Sequence, residues 1–76
     1  MSDYYPVEDE PERPLSPREV EVLQLIVDGK KYSAIALALG IEPGTVARYT
    51  WHIREKLKAA SMANAVAIAM RQKFVT

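Results

Sequence analysis

The spacing of Ala36, Gly40 and Val46 restricts what this chain can fold into more than any other feature of it. Where two helices cross closely a large side chain drives them apart, so an alanine inside a helix marks a point of close approach. Four residues later Gly40 permits the positive φ that a sharp turn needs. Ile41 then plugs the core, Pro43 can open a new helix, and Val46, six residues after Gly40, faces back toward Ala36. A short helix, a tight turn and a second helix crossing the first meet these demands. A generic helical hairpin in a compact three-helix domain meets them too.

The remaining apolar residues from Leu15 onward recur at helical spacing, and no strand pattern is present, so an all-α fold of four helices is expected. Ser16-Pro17-Arg18-Glu19 reads as a capping box: Ser16 caps the amide of Glu19, Glu19 answers back to Ser16, and Pro17 takes the first helical position, where no amide partner is needed. Val20, Leu23 and Val27, with Val22 and Ile26 alongside, form a broad apolar stripe, and Gly29 supplies an end, giving helix one over about 16 to 28. Helix two covers about 32 to 39 with Ile35, Ala36 and Leu39 inward. Helix three covers about 43 to 58, with Val46, Ile53 and Leu57 inward and Tyr49 and Thr50 at its flanks. Helix four, capped by Ser61, covers about 62 to 72 and sets Met62, Ala65, Val66 and Ala69 against helix one.

Composition excludes several classes of function. Seventy-six residues do not hold two domains, and a chain of this length buries only about 60% of its unfolded surface, which leaves little for a substrate pocket. No nucleophile, base and orienter set supports an enzyme. The absence of Cys removes disulfides and thiolate metal sites, and His52 alone builds no zinc site, so neither metal nor cofactor is expected. The longest apolar stretch falls far short of the roughly 18 to 20 residues of a membrane span, and the N-terminus has neither the basic start nor the apolar stretch of a secretory signal.

A formal net charge of +0 conceals an uneven distribution. Residues 1 to 12 carry five acids, Asp3, Glu8, Asp9, Glu10 and Glu12, and no base, whereas residues 13 to 76 carry all ten bases and five acids. With Pro6, Pro11 and Pro14 in it, the stretch from 1 to 14 is expected to be a disordered acidic tail ahead of a basic domain over 15 to 76. Such a tail either solubilises the chain or competes with an anionic partner for the basic face.

The wider run, from Leu15-Ser16-Pro17-Arg18-Glu19 through Glu21-Val22-Leu23, Gly29, Ile35-Ala36, Leu39-Gly40-Ile41, Thr45-Val46, Ile53, Lys56-Leu57 and Ser61 to Ala65-Val66-Ala67, resembles the LuxR-type (GerE-like) helix-turn-helix domain of bacterial transcription factors. The resemblance covers about residues 14 to 76. It implies a four-helix domain whose third helix enters the DNA major groove, whose second braces it and whose fourth dimerises, in a cytoplasmic, nucleoid-associated regulator of transcription. Members usually carry this domain after a receiver or ligand-binding domain, and none precedes it here, so the chain looks like a stand-alone effector domain. Its ending, Met70-Arg71-Gln72-Lys73-Phe74-Val75, is most similar to the quorum-sensing branch.

The resemblance also assigns residues. Thr45 and Gly44, in the first turn of helix three, would meet phosphate through a hydroxyl and backbone amides, which a helix N-terminus favours. Base reading would fall to Ala47, Arg48 and Trp51. Many relatives place Lys or Arg at the first and last of these, and only Arg48 keeps a fork that can pair with guanine. Lys30, Lys31, Tyr32 and Ser33 open helix two, where relatives contact phosphate, and His52 would lie near phosphate or make a local contact.

Each of these residues has a plainer use. A lone Trp on an amphipathic helix is commonly core or partner-facing, and Tyr49 suits packing between helices. Lys56 and Lys58 can form a solvated face, and capping with surface solvation accounts for Glu19 and Glu21. On helix four, Asn64, Ile68 and Arg71 at i, i+4 and i+7, with Ala67 beside them, leave an Ile otherwise exposed, so a weak homodimer contact is expected there. The primary expectation is a sequence-preferring DNA-binding regulator. The alternative is a module that binds another regulator protein, motivated by Ala47, Trp51 and the acidic tail.

Overall fold

A computed structural model describes residues 15–76 of the chain. Four helices follow one another, α1 (Pro17–Val27), α2 (Tyr32–Leu39), α3 (Pro43–Leu57) and α4 (Met62–Arg71), with no strand among the described residues. The acidic stretch expected over 1 to 14 lies outside the described residues.

Helix starts follow local chemistry. The Glu19 amide donates to Ser16 Oγ at 3.2 Å and the Ser16 amide donates to Glu19 Oε1 at 2.8 Å, closing the capping box that opens α1. At α4 the Asn64 amide donates to Ser61 Oγ at 3.1 Å, and Asn64 Oδ1 accepts from the amide of Ala60 at 3.0 Å. Two orphan amides are thereby satisfied at each start.

The ends share one geometry. Gly40 adopts φ 69°, and the Ile41 amide reaches back to the Ala36 carbonyl at 2.9 Å, so α2 stops within one residue and the chain turns directly into α3. The end of α3 repeats this with Lys58 at φ 54° and an Ala59 amide to Arg54 carbonyl bond of 2.9 Å. A lysine in the left-handed region carries no stop signal in the sequence, because its Cβ makes that conformation unfavourable.

The longest helix, α3, is the centre of the domain and packs against α1, α2 and α4. Val46 and Ile53 are fully buried on its inner face, and Ala36 of α2 is buried with them. The steric reading of the Ala36, Gly40 and Val46 spacing therefore describes the α2–α3 crossing. Leu23 and Val22 carry the α1 contribution, while Val20, Ile26 and Val27 sit only partly buried.

Helix four differs from its expected placement. It docks chiefly on α3 rather than on α1. Only four residues separate the two helices, the turn at Lys58 folds α4 back along its predecessor, and Ala65 and Ala69, both fully buried one helical turn apart, let it approach closely. Beyond α4, Lys73 at φ 64° turns the chain again, Val75 enters the core, and the Thr76 amide donates to Gln24 Oε1 on α1 at 3.0 Å.

Glu19 and Lys56 are the second departure. Surface solvation is the state their sequence context suggests for both, yet Glu19 is fully buried and its Oε1 accepts from Lys56 Nζ at 3.0 Å. The capping role turns the Glu19 carboxylate back over the start of α1, and that is where the last turn of α3 packs.

Candidate nucleic-acid interface

Packing decides which side of α3 is available. Thr45, Val46, Tyr49, Thr50 and Ile53 face the interior, so the opposite side, Gly44, Ala47, Arg48, Trp51, Glu55 and Lys58, forms an exposed stripe along the whole helix. Trp51 stands near its middle and is 51% exposed, which removes the core alternative for this residue. Its ring meets His52 edge to face with centroids 5.2 Å apart. Tyr49 is buried, in keeping with packing between helices.

The first turn of α3 is divided. Gly44 is exposed, whereas Thr45 is 3% exposed and offers almost no surface. Thr50 turns its hydroxyl to the Ala47 carbonyl at 2.7 Å. The side chain of the N-cap residue, Glu42, takes no hydrogen bond from the helix start.

At the opening of α2, Lys30, Lys31, Tyr32 and Ser33 are all exposed. Lys31 is the N-cap there, and its side chain makes no capping bond either. The two helices without side-chain caps are thus α2 and α3, the pair joined by the tight turn, while α1 and α4 are closed by serines. Amides at an uncapped helix start, with the positive end of the dipole behind them, suit an anion.

Arg54 is a basic residue beside the stripe that the sequence reading does not single out. It is partly buried at the border of the stripe, three residues beyond Trp51, with its Nε buried and unbonded. The heptad step from Ala47 to Arg54 is the signal that could have found it. Leu37 on α2, which the sequence reading leaves out of the inward set of Ile35, Ala36 and Leu39, is 85% exposed.

The expected dimer residues on α4 are less open than the sequence suggests. Asn64, Ala67 and Ile68 are partly buried, Arg71 is exposed, and the Asn64 amide oxygen is committed to the Ala60 amide. The large apolar side chain that α4 leaves exposed is Met70, not Ile68. Rotation of α4 onto α3 draws Ile68 inward.

An apolar groove of about 460 Å³ between α1 and α2, lined by Val20, Leu25 and Leu39 among others, contains none of the candidate residues. Among the described residues no group of His, Cys, Asp and Glu is placed to hold a metal ion, and no helix is long and apolar enough to cross a membrane.

Comparison with known proteins matches residues 13–69 to the family of bacterial regulatory proteins of the luxR type, GerE. Over 53 residues, 70% of this chain and 27% of the relative, it is 45% identical to the transcriptional regulatory protein DesR of Bacillus subtilis. It is 44% identical over 61 residues, 80% of this chain, to the probable transcriptional regulatory protein NarL of Mycobacterium tuberculosis, and 43% identical over 56 residues, 74% of this chain, to the transcriptional regulatory protein FixJ of Azorhizobium caulinodans. The matches span 28% and 26% of those two proteins. No solved structure matches the chain. These relatives do not single out the quorum-sensing branch that the chain's ending suggests; the likeness is to the family more broadly. With its central helix braced across a tight turn and the family model matching residues 13–69, the chain belongs to the luxR family of bacterial regulatory proteins, whose GerE-type domain is a helix-turn-helix.

Proposed function

We propose that α3 enters the major groove of double-stranded DNA and reads a preferred sequence through Ala47, Arg48 and Trp51. The observation that carries this reading is the exposed stripe on α3, whose middle is occupied by Arg48 and Trp51. Arg48 pairs with guanine, Ala47 meets a thymine methyl, and Trp51 packs on sugar or base edges. Backbone phosphates are held at the uncapped starts of α2 and α3 by Lys30, Lys31, Tyr32, Ser33, Gly44 and Thr45, with His52 and Arg54 flanking. Because Thr45 is enclosed and its amide already donates to the Glu42 carbonyl at 2.9 Å, the phosphate contact at the start of α3 falls chiefly to Gly44.

The active form is a weak homodimer through α4, completed on DNA, with Ala67, Ile68 and Arg71 around an exposed Met70 and Asn64 at the edge. Two-fold symmetry then sets two half-sites about one helical turn apart. The regulator acts in the cytoplasm on the nucleoid. It works as the effector part of a transcription regulator, whether alone or joined to a sensing domain.

A second reading is favoured by the exposure of Trp51 in place of a basic residue: the stripe binds another regulator protein. Selection of bound duplexes from a randomised pool at two salt concentrations, with Arg48→Ala in parallel, separates the two. An enriched dyad motif that relaxes in Arg48→Ala supports the groove reading. Absence of any enriched motif favours the protein partner.

A further inference from the structure

We infer that the outer face of α2 is a contact surface for a second copy of this chain, the two α2 helices lying antiparallel across a two-fold axis at Leu37. The first argument is an apolar side that nothing covers. Tyr32–Leu39 holds no charged residue, unlike the other three helices, and only Ile35 and Ala36 turn fully into the core. On the outer side Ala34, Leu37 and Ala38, at i, i+3 and i+4, are exposed, and Leu37 keeps 85% of its surface. Ala38 also lines the apolar groove between α1 and α2, with Val20, Leu25 and Leu39, so the exposed leucine borders further apolar surface. A helix that is apolar all round is ordinarily covered on every side.

Charge selects the occupant. Lys30 and Lys31 precede the helix and Glu42 follows it, all three exposed. Neither Lys31 nor Glu42 caps the helix it opens, and among the described residues no ion pair or side-chain hydrogen bond engages any of the three. Lys31 lies six residues before Leu37 and Glu42 five after it. A two-fold axis at Leu37 therefore brings the bases of each copy to the acid of the other, whereas a parallel pair would set like charge on like charge. The centre is self-complementary as well. Each Leu37 stands between Ala34 and Ala38, whose methyl groups leave low ground for the leucine of the other copy.

The contact is small. An eight-residue helix covers well under the roughly 800 Å² per partner of a standard interface, so the pair is weak and its end charges are sensitive to salt. It lies on a different helix from the α4 contact, and it needs neither DNA nor the groove reading. A copy engaged through α4 thus keeps its α2 face open to a further copy.

Amide shifts of the full chain, recorded from about 0.05 to about 1 mM protein at about 20 mM salt, test the pairing in the range expected of so small an interface. Shifts that move with concentration are expected at Lys31, Ala34, Leu37, Ala38 and Glu42. Leu37→Glu abolishes them, and Met70→Glu leaves them in place. Glu42→Lys loses them, as does Lys30→Glu combined with Lys31→Glu, because each variant then meets its own charge at both ends. Mixed in equal amounts, those two variants regain the shifts, since opposite charges face each other again, and about 0.5 M salt removes the gain. Every substituted side chain except Met70, which is 45% exposed, belongs to an exposed residue without a bond to lose, so circular dichroism is expected to show the parent fold throughout. Shifts at α2 that do not depend on concentration overturn the pairing, as do shifts that vanish in Met70→Glu. A mixture that behaves as the sum of its two components overturns the antiparallel arrangement and with it the choice of a second copy as the occupant.

Discussion

Glu19 and Lys56, 37 positions apart in sequence, share one hydrogen bond of 3.0 Å that ties the first turn of α1 to the last turn of α3. The same carboxylate oxygen holds the Ser16 amide, so a single atom serves a local cap and a tertiary ion pair together. Glu19 is fully enclosed, and the Lys56 side chain keeps 19% of its exposure.

Removing either partner is therefore expected to cost far more than a surface pair would. Lys56→Met leaves a buried carboxylate without its cation and lowers stability by about 3 kcal/mol. In a domain of this size that is a fall in melting temperature of more than about 10 °C by circular dichroism. Glu19→Gln combined with Lys56→Met restores much of the loss, since no charge is then stranded. A double mutant no more stable than Lys56→Met alone shows that the pair is not the source of the effect.

Two of the left-handed helix ends, Gly40 and Lys58, give predictions of opposite sign. Gly40→Ala meets no atom within 4 Å, so its expected cost of about 1 to 2 kcal/mol is conformational only. Lys58→Gly relieves the same strain and raises stability by about 0.5 to 1 kcal/mol. Urea denaturation midpoints at constant slope check both.

At the α2–α3 crossing, Ala36→Leu is expected to lose about 2 to 3 kcal/mol or to prevent folding, because the crossing has no room for three more carbons. Leu37→Ala on the neighbouring position, which is exposed, changes stability by less than about 0.5 kcal/mol. The contrast between adjacent residues of one helix, measured under the same conditions, tests the crossing itself.

On the stripe, Arg48→Ala and Trp51→Ala are expected to fold normally, with melting temperatures within a few degrees of the parent. Their defect lies in binding. Arg48→Ala loses about 1 to 3 kcal/mol of discrimination at one base pair, read from affinities for the selected site and its single-base variant. An unchanged preference in Arg48→Ala places the base contact elsewhere.

On α4, Met70→Glu is expected to weaken self-association while leaving the monomer stable, because Met70 is exposed. Ile68→Glu is expected to destabilise the monomer as well, since Ile68 is partly buried. Sedimentation equilibrium with parallel thermal melts separates the two outcomes. A dimer tighter than micromolar without DNA contradicts the weak association proposed.

Much of this fold is legible in the amino-acid sequence because its punctuation is local. Ser16 and Glu19 announce the start of α1, Pro43 that of α3, Ser61 that of α4, and Gly29 and Gly40 mark the ends of α1 and α2, since caps and turns depend on side chains only a few residues apart. Helical periodicity likewise assigns Val46 and Ile53 to the interior of α3, and with them the exposed stripe. What sequence does not decide is which surfaces meet over long separations. That α4 lies on α3, that Ile68 turns inward while Met70 and Leu37 face outward, and that a capping carboxylate captures Lys56 all depend on how the helices rotate about their axes as they pack. A helical repeat fixes the face each residue shares with its neighbours. Only the mutual fit of the four helices decides which of those faces is enclosed.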